Sequence, residues 1–299
     1  MLSIAEALEK FNRLTDALRE ELARFLYPFA AVLPDARHRQ ALQRLAPALL
    51  ASRKPHLSAA GARGVEASTS AWALSKRFAT LLHTPRFSHH AWLNALYAQA
   101  VEQVATLPSS RRLLVAVDPL NLEKAYARKI EGICQVHKST PPGSPPRHSR
   151  RRKEEGRITW GYPSIFAMGL NTARPALLHH RLFSYATDDF VSQPWEWMQT
   201  MRQLRQRLPD RRLCLVTDAE ADDQKLWHEA QANELELVAR ATKVRNVVVW
   251  EPRRRRWRAQ ELQEWARSHP GPAHFAKAFT HAGRTVPVRV HLNWARFRL

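Results

Sequence analysis

Leu113-Leu114-Val115-Ala116-Val117-Asp118 and, further along the chain, Leu213-Cys214-Leu215-Val216-Thr217-Asp218 are the two stretches on which the fold turns. Each is a short, unbroken apolar run that ends on an aspartate. A run of this length and content reads as a strand buried on both faces, as in a parallel sheet covered by helices. In such sheets function gathers at the carboxyl ends of the strands, where loops begin. Two carboxylates on neighbouring strand ends form a hard-oxygen site suited to Mg²⁺ or Mn²⁺. Two such ions about 4 Å apart can activate an attacking oxygen and stabilise the leaving oxygen of a phosphodiester. The plainer alternative is that each aspartate only caps the turn or helix that follows it.

Between and beyond these runs the pattern stays mixed. Strands are predicted at 164–173 and 176–186. A helix from Pro194 sets Trp197, Met201, Leu204 and Leu208 on one face and stops before Pro209. A helix from near Asp222 buries Leu226, Trp227 and Ala230, and Leu235 to Ala241 reads as a strand. Before Leu107 the period is helical. Ser3 and Glu6 form a capping box ahead of Ile4, Leu8, Phe11, Leu14, Leu18, Leu22 and Phe25, a stripe ended by Pro28. Further helices are expected near 35–50, around Trp72 to Leu82, and around Trp92 to Val104. After residue 242 the chain turns to strands: Val247 to Trp250, and the alternating Val286, Val288, Val290 and Leu292. The expected domains are 1–107, helical and DNA-binding; 108–242, α/β; and 243–299, β-rich.

Composition narrows the partners. The 299 residues include 47 Lys and Arg against 27 Asp and Glu, a formal charge of +20. A field of that sign points to a polyanion, either nucleic acid or an anionic membrane surface. No window approaches the 18 or so apolar residues of a membrane span, and the first ten residues carry Glu6 and Glu9 in place of a basic signal-peptide start. Two cysteines, Cys134 and Cys214, make no C-x-x-C pair, so a disulfide scaffold and a cysteine-rich zinc site are excluded and a reducing, cytoplasmic setting is expected. There is no phosphate-binding G-x-x-x-x-G-K-[ST], no G-x-G-x-x-G, no G-x-S-x-G, and His228-Glu229 lacks the second histidine of a zinc hydrolase. The doublets His89-His90 and His179-His180 read as core or solvent residues, since neighbours on a regular element cannot both face one metal.

Asp118 to Ile133, followed by Val136-His137-Lys138-Ser139-Thr140-Pro141-Pro142-Gly143, resembles the first catalytic block of DDE transposases from bacterial insertion sequences. Gly161-Tyr162-Pro163 resembles the start of the strand that follows it in that family, and Val216 to Gln224 resembles the second catalytic block. The resemblance runs from about Asp118 to Arg240. It implies a ribonuclease-H-like mixed sheet with flanking helices, preceded by an all-helical N-terminal domain and followed by part of a β-rich insertion. It also implies that Asp118 and Asp218 are the first two of three acids that hold a pair of Mg²⁺ or Mn²⁺ ions and cut and rejoin DNA. The third acid belongs to a later Tyr-x-x-Arg-x-x-x-Glu-like helix, and no such pattern occurs before Leu299. Glu261 and Glu264 fit the wet face of a helix with Leu262 and Trp265.

The expectation is therefore a transposase cut short before its third acid, binding double-stranded DNA at transposon ends and target, close to the nucleoid. A homodimer on paired ends is implied by the family. The alternatives are a non-catalytic DNA-binding relic that holds transposon ends, and a metal-dependent nuclease with a third ligand of its own. Lys124, Arg128 and Lys129 are candidates for contacts near the scissile phosphate. Arg150, Arg151, Arg152 and Lys153 form one basic loop, and Arg253, Arg254, Arg255 and Arg256 another, with Trp257 beside it for stacking. Ser75, Lys76 and Arg77 lie on a helix that could enter a groove.

Overall fold

A computed structural model describes residues 4–54, 56–63, 70–138, 158–240, 246–251, 254–269, 273–281 and 284–292. The chain forms two compact units, Met1–Ala100 and Val101–Leu299.

The first unit is helical: α1 (Ile4–Ala31), α2 (Ala36–Ser52), α3 (Leu57–Arg63), α4 (Ala71–His83) and the greater part of α5 (His89–Ala105). Side-chain oxygens start three of them. Asp35 accepts the His38 N–H at 3.0 Å, Ser70 that of Ala73 at 3.2 Å, and Ser88 that of Ala91 at 3.1 Å. One core joins α2, α3 and α4 through Leu45, Ala48, Ala60, Leu74 and Phe78. A second joins the end of α1 to Leu42 and Phe87, where Trp92 packs its ring 4.8 Å from Phe29. Two expectations fail here. Pro28 lies inside α1, which runs one turn beyond it; a proline forfeits one backbone donor, and the packing of Phe29 and Leu33 holds that last turn. The apolar stripe of α1 is covered only near its end, with Phe11, Leu14 and Leu18 more than half exposed. Ser3 lies outside the described residues, and α3 had no periodic signal.

The second unit is built on a six-stranded sheet: β1 (Leu113–Glu123), β2 (Cys134–His137), β3 (Ile158–Gly169), β4 (Ala176–Leu182), β5 (Leu213–Thr217) and β6 (Glu236–Ala239). β1 pairs antiparallel with β3 and parallel with β5, which pairs parallel with β6. β2 and β4 share the outer edge of β3, β2 along its first part and β4 along its second. Helices α6 (Gln193–Arg207) and α7 (Gln224–Ala232) complete the unit, α6 against β3 and β4 and α7 against β6. This is the ribonuclease-H-like mixed sheet with flanking helices. After it come the hairpin β7 (Asn246–Glu251) and β8 (Arg256–Glu261), helix α8 (Leu262–Ser268), and the hairpin β9 (Ala273–His281) and β10 (Arg284–Leu292). Trp265 of α8 is buried while Glu261 and Glu264 face water.

The strands differ from expectation in ways that matter for the site. β1 is not buried on both faces. Leu113, Val115 and Val117 are at most 2% exposed, whereas Leu114 and Val216 are each 36% exposed and Val238 55%. The buried residues of α6 and α7, Trp197, Met201, Leu204, Leu226 and Ala230, match the buried set of the strands, and the opposite face is exposed at Leu114, Val216 and Val238 but closed at Cys214 and Ser164. β1 also does not end at Asp118. Its pairing with β5 stops at Ala116, but its pairing with β3 continues to Glu123. β3 begins at Ile158, so Gly161 and Pro163 lie within it, and β4 ends at Leu182. Pro163 is tolerated because it faces the gap between β2 and β4, where its carbonyl accepts the Phe183 N–H at 3.1 Å and no ladder donor is needed. Gly161 is required for space: a Cβ there would stand 2.5 Å from the Leu122 carbonyl oxygen and 2.8 Å from Val136.

One ion pair ties α6 to the sheet. Arg181 Nε donates to Glu196 Oε2 at 2.5 Å, with the Glu196 side chain 3% and the Arg181 side chain 43% exposed. The asymmetry sets an order for its variants. Arg181→Met strands an ionised carboxylate in the core and should cost about 3 kcal/mol, while Glu196→Gln leaves an arginine that water can reach and should cost about 1 kcal/mol. Urea unfolding of both proteins checks the order.

Candidate functional site

Parallel pairing brings the two aspartates together. Ala116 of β1 stands opposite Val216 of β5. Two residues on, Asp118 continues β1 and Asp218 follows the end of β5, close enough for the charge of Asp218 to act on Asp118. Asp118 stays within β1, opposite Phe166 of β3, whose ring stacks on His180 at 4.3 Å. Asp218 follows the last residue of β5 and caps a single 3₁₀ turn, Ala219–Ala221, its Oδ1 accepting the Glu220 N–H at 2.9 Å. Capping and convergence therefore coexist in Asp218.

The electrostatics record the approach. Partial desolvation, then the charge of Asp218, raises the Asp118 carboxyl above its ordinary value. Glu220 is raised as well, first by desolvation, then by Asp218, with Asp118 acting in the same direction. Gln193 of α6 and His137 of β2 oppose that rise, Gln193 Nε2 donating to Glu220 Oε2 at 3.3 Å. Glu220 is the site residue that reading the sequence missed. The signal was present in Asp218-Ala219-Glu220, but spacing alone does not say that a one-turn cap swings the glutamate back to the strand edge. Among the described residues no group of three His, Cys, Asp or Glu side chains is placed to hold a metal ion. Asp118 and Asp218 thus suit a hard divalent cation in kind, but a closed ligand set is not assembled.

A cleft of about 420 Å³ is lined by Asn121, His137, Tyr185, Gln193, Trp197 and Glu220, and of the three carboxylates only Glu220 reaches it. Asn121 Nδ2 donates to the His137 carbonyl at 3.0 Å and fixes that wall. His179 belongs to the core: burial, then Arg207 2.7 Å from its Nδ1, brings it down to about 3, so it is neutral.

The cationic candidates scatter. Lys124, Arg128 and Lys129 are exposed in the turns after β1. Because β1 runs on past Asp118 to Glu123, the backbone of Lys124 lies about 20 Å along the strand from that of Asp118. Arg254, Arg255 and Arg256 are exposed at the β7–β8 turn, Arg255 with φ of 46°. Arg150, Arg151, Arg152, Lys153 and Arg253 lie outside the described residues. Among the described residues no helix is long and apolar enough to cross a membrane.

The chain matches no family model and no curated protein. Among solved structures it is similar to chains of a pre-cleavage Mos1 transpososome, with 10% identity and a TM-score of 0.25, covering 66% of this chain and 58% of that one. It is also similar to the Mos1 strand transfer complex, with 11% identity and a TM-score of 0.24 over 70% and 60% of the two chains. A Mos1 transposase paired-end complex with the left transposon end gives 11% identity and a TM-score of 0.24 over 66% and 58%. The chain thus spans less than two thirds of those chains, and at these scores the fold rests on the strand order and register described above.

The raised Asp118 carboxyl has a definite pH signature. Folded protein keeps this proton over a range in which the unfolded chain, near pH 3.9 for aspartate, has lost it. The associated stability is full below that value and falls as pH rises through the folded one. Asp118→Asn should therefore melt higher than the parent at pH 7, with the gap closing below about pH 4. Added Mg²⁺ should raise the parent's melting temperature more than the variant's. Calorimetry at several pH values, with and without Mg²⁺, reads both effects. A variant that melts lower at every pH would make Asp118 a structural residue.

Proposed function

We propose that this protein is a transposase-type protein that acts on insertion-sequence DNA, by metal-dependent phosphodiester cleavage and strand transfer. The observation that carries the reading is that the parallel register of β1 and β5 leads into Asp118 and Asp218, with the charge of Asp218 acting on the Asp118 carboxyl. The net charge of +20 supports a polyanionic substrate.

In this reading Asp118 and Asp218 hold Mg²⁺ or Mn²⁺, which when bound supplies positive charge to the developing oxyanions of the scissile phosphate. The chain's own groups do the rest. The aspartates gather the cation by relieving their mutual repulsion. Gln193 anchors Glu220 close by without drawing it into the pair. Lys124, Arg128 and Lys129, which follow Asp118 in the chain, are the candidate contacts to phosphates near the scissile bond. Double-stranded transposon ends and target DNA are the partners, and a homodimer on paired ends belongs to the same reading.

The absence of a third converged ligand among the described residues favours a second reading. With two carboxylates the metal pair is short of ligands, cleavage is impaired, and the protein becomes a DNA-binding relic that occupies transposon ends. Incubation of linear end-bearing DNA with the protein and Mn²⁺ separates the two. Nicking that falls at least about a hundredfold in Asp118→Asn and Asp218→Asn, as loss of several kcal/mol of charge stabilisation requires, supports the enzyme. Retention of DNA without nicking, unchanged in both variants, supports the relic. Failure to retain DNA at low salt overturns both.

A further inference from the structure

The helical unit carries a second, separate concentration of charge. A cleft of about 660 Å³ lies between α2 and α4. Its floor is apolar, formed by Ala41 with the core residues Leu74, Phe78 and Leu81. Its rims are cationic. Arg37 and Arg44 line it from α2, Lys76 and Arg77 from α4, and Arg86 from the segment after α4. All five are exposed. Asp35 is the one acidic residue of the lining, and it is engaged. It caps α2, takes the His38 ring nitrogen at 2.6 Å and pairs with Arg86 at 3.2 Å. The His38 hydrogen bonds, first among several causes, hold its carboxyl down to about 2. Beside the cleft Trp72 is 69% exposed, with the Lys76 ammonium 4.4 Å above its ring.

Packing of the apolar floor fixes the two helices and so forces these cations to face one another. Like charges held across a groove repel, and a polyanion laid between them removes that cost. The geometry suits a chain of phosphates better than one small anion. Arg37 and Arg44 are seven residues apart on one helix, about 10 Å, which spans roughly three phosphates at 3.4 Å of rise per strand. The opposing rim supplies Lys76 and Arg77. The exposed indole of Trp72 adds a flat face at the groove's shoulder.

We infer that the α2–α4 cleft is a binding site for the sugar–phosphate backbone of duplex DNA, with Arg37, Arg44, Lys76 and Arg77 as its phosphate contacts. The inference rests on the reading that this protein works on DNA, and it adds where the helical unit grips the duplex.

The test is equilibrium binding of the full chain to a fluorescently labelled duplex across a range of NaCl concentrations. The K76A/R77A double variant removes two phosphate contacts, so its plot of log affinity against log salt should be shallower by about 1.8, and affinity at 0.1 M salt should fall by up to roughly sixtyfold. The R13A/R19A variant removes the same charge from α1, outside the cleft, and should lose less than about threefold, since screened charges distant from the ligand contribute little. Circular dichroism should be unchanged in both, because all four side chains are on the surface. Equal losses in the two variants would mean a diffuse field, and an unaltered K76A/R77A slope would mean that DNA lies elsewhere; either overturns the cleft while leaving the DNA reading intact. A parent chain that binds no duplex at low salt overturns the DNA reading and the cleft together.

Discussion

The parallel register of β1 and β5 is the constraint on which the second unit depends. Leu113, Val115, Leu213 and Leu215 must point under α6 and α7, where all four are at most 1% exposed. Alternation then sends Ala116, Val216 and the two aspartates to the opposite face. A slip of one residue in either strand would drive a leucine into water and a carboxylate beneath the helices, a cost of several kcal/mol. Packing of apolar residues on one side of the sheet thus dictates the meeting of carboxylates on the other.

That meeting is electrostatically unfavourable, and the surroundings deepen it. Desolvation and mutual repulsion act in the same direction on Asp118 and Glu220. A protein of +20 charge that brings carboxylates together at a strand edge holds a local concentration of negative charge within a positive molecule. The helical unit shows the converse, a groove of facing cations in which Asp35 is already committed. Each feature concentrates one sign of charge.

The aspartates that follow the apolar runs of β1 and β5, the helix with Trp197, Met201 and Leu204, and the wet Glu261 and Glu264 were legible in the sequence, because each depends on apolar period or on the end of an apolar run. The length of β1 was not. Asp118-Pro119 looks like a strand end, yet Pro119 lies beyond the part paired with β5, and the antiparallel ladder to β3 carries the strand on to Glu123. The helix expected around Trp72 to Leu82 formed, but only its tertiary packing shows that Trp72 stands exposed, under Lys76. Pro28 read as a stop, but contacts made by Phe29 outweigh one missing hydrogen bond.

What the sequence alone determined is the kind of layer each segment joins and the charge it brings. Hydrophobic period and net charge are local or additive properties, and they survive without knowledge of partners. What only the tertiary structure decided is which charges meet. Asp118 finds Asp218 through strand pairing, Glu220 turns back through a one-turn cap, and Arg37 faces Arg77 across an apolar floor. Such meetings depend on register and helix packing between segments far apart in the chain, and Coulomb's law acts on those distances and not on sequence separation.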